Sequence, residues 1–192
     1  MHNTADNEAK LNDIFLKVKN CEDCSLYKNR VCSVFSKGNA YAQVMLIGEA
    51  PGKQENEEGL PFVGKSGEQL DKLLKGAGFE NPESEIYFCN VVKCRPVKNN
   101  KDRKPSRDEV LSCKKYLLEQ INIVKPEIII LCGNTAKNVF EIKEAMKIAH
   151  GKMYKNGEIK LFPIYHPRAS ITNAIKIADL HKIKKAVIKG EN

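Results

Sequence analysis

Two cysteines, Cys21 and Cys24, stand two residues apart, and that spacing lets both thiolates reach one metal centre. Two more, Cys94 and Cys113, lie in polar surroundings outside the long apolar runs. Four such thiols can hold zinc or an iron–sulfur cluster. A lone Cys-x-x-Cys also reads as two unliganded thiols on a loop, so the spacing leaves both open. Cys89 and Cys132 sit inside apolar segments and belong to the core, and the Val31-Cys32-Ser33-Val34-Phe35 context favours burial of Cys32. The N-terminus, from Met1 to Asp6, lacks the basic and apolar regions of a secretory signal. A cytoplasmic protein is therefore expected, and in that compartment seven cysteines do not read as a disulfide scaffold.

The other chemistry-bearing residues fall at the ends of four short apolar segments, 43–47, 86–92, 127–132 and 160–165. Gly48-Glu49-Ala50-Pro51-Gly52 follows the first, Asn90 closes the second, Gly133-Asn134 follows the third, and His166-Pro167 follows the fourth. A carboxylate, a carboxamide and an imidazole gathered at one place can polarise, read and protonate a ligand. A lone histidine is more often a surface or satisfied core residue; the neighbours are what raise the interest of His166. The stretch 48–67 adds five glycines and Phe62 in a charged context, which suits a backbone that closely approaches a flat ligand. Its plainer reading is a long surface loop anchored by Phe62.

The elements that must position these residues follow from periodicity. Leu11, Ile14, Phe15 and Val18 mark a helix over 7–19, and further helical patterns cover 66–77, 106–124, 134–149 and 170–189. Ser106 and Glu109 form a capping box at the start of the third of these. Strands alternating with helices predict an α/β fold, a three-layer α/β/α sandwich around a central four-stranded, mainly parallel sheet. Ligands in such folds bind outside the carboxyl ends of the strands, where the polar positions collect.

One motif misleads. Gly59-Leu60-Pro61-Phe62-Val63-Gly64-Lys65-Ser66 satisfies the phosphate-loop pattern. Its lead-in, Lys53-Gln54-Glu55-Asn56-Glu57-Glu58, is no buried strand, and Pro61 removes an amide that would cradle phosphate. No nucleotide triphosphate is expected.

The chain has 192 residues, read as one domain over 1–192, and 42% of them are apolar, enough for a buried core. No apolar run is long enough to cross a membrane. Lys and Arg outnumber Asp and Glu by 32 to 24, a net charge of +8, with an isoelectric point near 9.0. That excess suits a polyanionic partner, although a lysine-rich solvated surface would also produce it.

These residues together resemble the family 4 uracil-DNA glycosylases, thermostable members of which carry a 4Fe–4S cluster. The resemblance runs from Cys21 to about Ala169 and rests on the 48–52 and 59–64 motifs, Asn90-Val91-Val92-Lys93-Cys94-Arg95-Pro96, and Tyr165-His166-Pro167. It implies a uracil-DNA glycosylase-like fold and a monomer that hydrolyses the N-glycosidic bond of uracil in DNA. It implies cluster ligation by Cys21, Cys24, Cys94 and Cys113, base stacking on Phe62, and reading of the uracil edge by Asn90. His166 matches the residue that stabilises charge on the departing base. Glu49 matches the acid that aids water attack or steadies the sugar cation, and Glu55 stands where the family has a second acid. Gly48 and Ala50 complete the substrate-binding turn, and a DNA wedge is expected within 168–172. Asn56 departs from the family's usual Asp, and the 98–104 stretch, rich in lysine, is longer than usual. A related group that bonds covalently to DNA also has an enlarged loop there. Its loop carries a histidine and its first motif a glutamine where Ala50 stands, and this chain has neither.

Overall fold

The structure is a computed structural model and describes residues 5–189. Eight strands run in chain order: β1 (Ser36–Gly38), β2 (Val44–Gly48), β3 (Ile86–Asn90), β4 (Val97–Lys98), β5 (Lys101–Asp102), β6 (Ile128–Cys132), β7 (Tyr154–Asn156) and β8 (Ile159–Ile164). Eight α-helices accompany them among the described residues: α1 (Ala5–Lys19), α2 (Lys53–Glu58), α3 (Lys65–Gly76), α4 (Pro82–Glu85), α5 (Arg107–Val124), α6 (Asn134–Val139), α7 (Met146–Ala149) and α8 (Asn173–Lys189), with a short 3-10 helix at Ser25–Asn29.

The main sheet has the order β1-β3-β2-β6-β8-β7. Its inner four strands are parallel, as the apolar runs predict, and its register sets Gly48 beside Asn90. The expected four-stranded sheet is therefore six-stranded, because β1 and β7 add antiparallel edges. Each edge strand is three residues long and largely solvent-facing, so it lacks the continuous apolar run that marks a buried strand.

Alternate residues of the inner strands feed two cores. Met45, Ile47, Tyr87, Ile129 and Leu131 pack with α1 and α5 on one face. Val44, Leu46, Phe88, Ile130 and Phe162 pack with α3 and α8 on the other. That is the three-layer α/β/α sandwich. The capping box of α5 forms as read: Ser106 accepts from the Glu109 amide, and the Glu109 carboxylate accepts from the Ser106 amide.

The helical pattern over 134–149 is corrected. The chain leaves α6 at Val139, passes a left-handed Glu141 (φ 60°) and re-forms one turn at α7. Buried Lys137 fixes this break by donating its ammonium to the carbonyls of Ile142 and Glu144. No helix among the described residues is long and apolar enough to cross a membrane.

Candidate active site and thiol cluster

Parallel strands ending at a common edge bring Asn90, Gly48-Glu49, Gly133-Asn134 and His166 together, since β3, β2, β6 and β8 are neighbours in that order. Gly48 is the pivot. A Cβ added there would lie 2.3 Å from Asn90 Oδ1 and 2.7 Å from Phe62 Cζ, so only a glycine lets amide and ring meet over the strand end. Asn90 is buried, yet no described residue partners its carboxamide; its main-chain carbonyl accepts from Lys93 Nζ at 2.6 Å.

Phe62 adopts φ 57°, a left-handed conformation that is rare for a bulky residue and costs free energy. Its ring stands edge-on to Phe88 at 5.9 Å. Its backbone presses so close to α3 that a Cβ on Gly67 would lie 2.0 Å from the Phe62 carbonyl oxygen.

The expected surface loop over 48–67 contains α2. Gly52 caps that helix, and Glu55 ties the loop together, its Oε2 accepting from the Gly52 amide at 3.1 Å and its Oε1 from the Gly64 amide at 2.9 Å. Both oxygens of Glu55 face the loop rather than the strand ends where Glu49 and His166 meet. The phosphate-loop pattern falls apart for the same reason: its lead-in is α2, and Glu55 occupies the Gly64 amide. Asn56 is equally structural, its side chain accepting from the Val31 amide and its carbonyl from the Cys32 amide. Cys32, expected inside, is half-buried.

Across the site Glu49 accepts a hydrogen bond from Thr135 Oγ1 on α6, a partner that no sequence signal singled out. Gly133 takes the left-handed φ of 91° that favours glycine, and a Cβ there would merely touch the His166 Cβ at 3.8 Å. His166 Nδ1 accepts from the Arg168 amide at 3.2 Å, so the neutral ring carries its proton on Nε2 and presents a donor. The ring has an open face, but the protein around it is dense. Desolvation pushes its pKa below the ordinary value against the pull of Glu49, and Arg168 and Lys176 push the same way. Lys176, buried on α8, donates to the carbonyls of Pro167 at 2.6 Å and Ala169 at 2.8 Å and so fixes the loop that carries His166. Lys176 is also invisible in the sequence, one lysine among many.

The four cysteines flagged at the outset line one cavity, although they come from the end of α1, the end of β3 and the first half of α5. Val18, Tyr27, Val92 and Tyr116 wall it. Arg30 donates to Cys94 Sγ at 3.5 Å and the Lys93 amide to Cys113 Sγ at 3.3 Å. Burial pushes the Cys113 thiol up to about 11 and raises that of Cys94. Cys89 and Cys132 lie in the two cores, as read.

The carboxyl edge of this sheet thus gathers an acid, an amide, an aromatic ring and a histidine. Residues 35–188 match the uracil DNA glycosylase superfamily model, and the chain belongs to that superfamily. Within it the chain is similar to the type-4 uracil-DNA glycosylases. It is 38% identical to that of Saccharolobus solfataricus over 89% of this chain and 83% of the relative. It is 35% identical to that of Thermotoga maritima over 90% and 92%, and 40% identical to that of Pyrobaculum aerophilum over 79% and 80%.

Proposed function

We propose that this chain, acting as one unit, is a DNA-repair glycosylase that hydrolyses the N-glycosidic bond of uracil in DNA, releasing free uracil and leaving an abasic site. The observation that carries the reading is the meeting of Phe62 and the unpartnered Asn90 carboxamide over Gly48, next to Glu49 and at the same sheet edge as His166. An extruded uracil stacks on Phe62, and the Asn90 amide matches its O4 acceptor and N3 donor together. Water adds to the sugar carbon as the base leaves. Positive charge grows on the sugar, where the Glu49 carboxylate counters it, and negative charge grows on uracil O2, where the His166 Nε2–H donates. Both effects come from groups fixed in advance by Thr135 and the Arg168 amide, which is electrostatic preorganisation. Glu55 holds the loop closed and serves as a positioning residue in this scheme. Arg168 to Thr172 supplies the wedge that fills the gap in the duplex.

Cys21, Cys24, Cys94 and Cys113 would hold a 4Fe–4S cluster. Four thiols lining one cavity are a donor set of the kind that such a cluster takes. The N–H groups of Arg30 and Lys93 aimed at sulfur would stabilise thiolates bound to a metal, against the burial that otherwise keeps these thiols protonated. Bound there, the cluster would cross-link α1, β3 and α5 through these residues.

The test is an oligonucleotide with one uracil. Alkali-labile breaks at that position, and none at thymine or cytosine in matched strands, are expected; an intact uracil strand would overturn the assignment.

A further inference from the structure

The segment between Cys94 and α5 has no part in the chemistry above. It forms a two-stranded ribbon in which Val97 faces Asp102 and Lys98 faces Lys101. The turn residues Asn99 and Asn100 are both left-handed, at φ 51° and 58°, the two-residue turn whose twist suits a ribbon and which asparagine tolerates. Like charges placed directly opposite each other weaken such a pair. A solvated loop gains nothing from holding two cations face to face.

The acids nearby do not relieve this repulsion. Asp102 pairs with Arg95 at 2.6 Å, and Glu109 grips Arg103 through two bonds of 2.8 and 2.6 Å. Arg103 also donates to the carbonyls of Pro96 and Val97. These contacts fix the base of the ribbon. Lys98, Lys101 and Lys104 stay exposed, with no ion pair among the described residues. The next exposed acid, Asp108, lies beyond them in the first turn of α5.

The ribbon also stands beside the site. A Cβ on Gly52 would lie 3.8 Å from Asp102 Oδ2, and β3, which ends in Asn90, leads through Cys94 into β4. We propose that the ribbon is a phosphate-gripping arm, with Lys98, Lys101 and Lys104 contacting the DNA backbone next to the extruded nucleotide. The proposal rests on the glycosylase reading for the identity of the polyanion. The mutual repulsion of Lys98 and Lys101 is relieved when phosphates sit against them, so the ribbon is completed by its ligand.

The test uses the full chain with Lys98→Ala, Lys101→Ala and Lys104→Ala combined, and measures affinity for a uracil-containing duplex across a salt series. Each phosphate contact contributes about 0.9 to the log–log salt slope, so the slope should fall by roughly 2 to 3 and binding at moderate salt by roughly tenfold or more. Uracil release at saturating DNA should stay at the wild-type value, and the thermal midpoint should not fall. The matching triple change to arginine should restore slope and affinity. An unchanged slope, or lost affinity without a change in slope, overturns the arm. Wild-type protein that releases no uracil while the variant still loses slope would sink the glycosylase reading and leave the arm standing. Normal excision with an unchanged slope would sink the arm alone.

Discussion

At Gly48 a single missing side chain lets Asn90 and Phe62 close on the same ligand, and the chemistry divides among the residues around it. Asn90→Asp removes the donor that uracil O4 needs and sets a negative charge against it. Each mismatched buried group costs about 1–3 kcal/mol, so uracil excision should fall sharply while the preference over cytosine narrows. Matched uracil and cytosine oligonucleotides measure this; an unchanged ratio would mean that Asn90 does not read the base. His166→Ala should slow base release by roughly 10²–10³-fold and leave DNA affinity nearly intact, because most affinity comes from phosphates. With the His166 pKa lowered by desolvation, the neutral ring with its Nε2–H persists as pH falls through about 6.5. Single-turnover rates should hold flat across that point; a rate that rises there would show that the imidazolium, the stronger donor, forms at an ordinary pKa. Asn90, Glu49 and His166 were legible because each closes an apolar run. Thr135 and Lys176 were not, because their roles depend on which elements the fold brings alongside.

Between elements, the close approach of α3 to the loop carrying Phe62 sets the position of the ring. Gly67→Ala would place a methyl 2.0 Å from a backbone oxygen that has no freedom to rotate away. The loop must shift, and overpacking of this kind costs about 1–3 kcal/mol. The thermal midpoint should drop, and stacking on Phe62 should weaken with it, seen as a raised KM for a uracil oligonucleotide. A variant with the wild-type midpoint and KM would show that the contact is not tight. The inner strands announced themselves in the sequence because both their faces are buried. Edge strands β1 and β7 did not, and the break after α6 arises from Lys137 folding back on carbonyls, an interaction that periodicity cannot register. The ribbon of β4 and β5 was visible only as a lysine-rich stretch of extra length.

For the molecule as a whole, the thiol cavity ties α1, β3 and α5 together at the margin of the core they share. Cys94→Ser should bleach the broad visible absorption expected of anaerobically purified protein and lower its stability, since metal-binding free energy is folding free energy at such a site. Colourless wild type with stoichiometric zinc would contradict the cluster and leave the glycosylase reading intact. The net charge of +8 fits a molecule that gathers along DNA before it finds a uracil. The central claim is hydrolytic turnover, and one measurement addresses it directly. A single-uracil duplex in large excess over enzyme is incubated, and free uracil is quantified against enzyme. Free uracil should exceed the enzyme many times over, in equal amount to abasic sites. Release that stops at one equivalent or less, with the protein held on the DNA, would contradict the account.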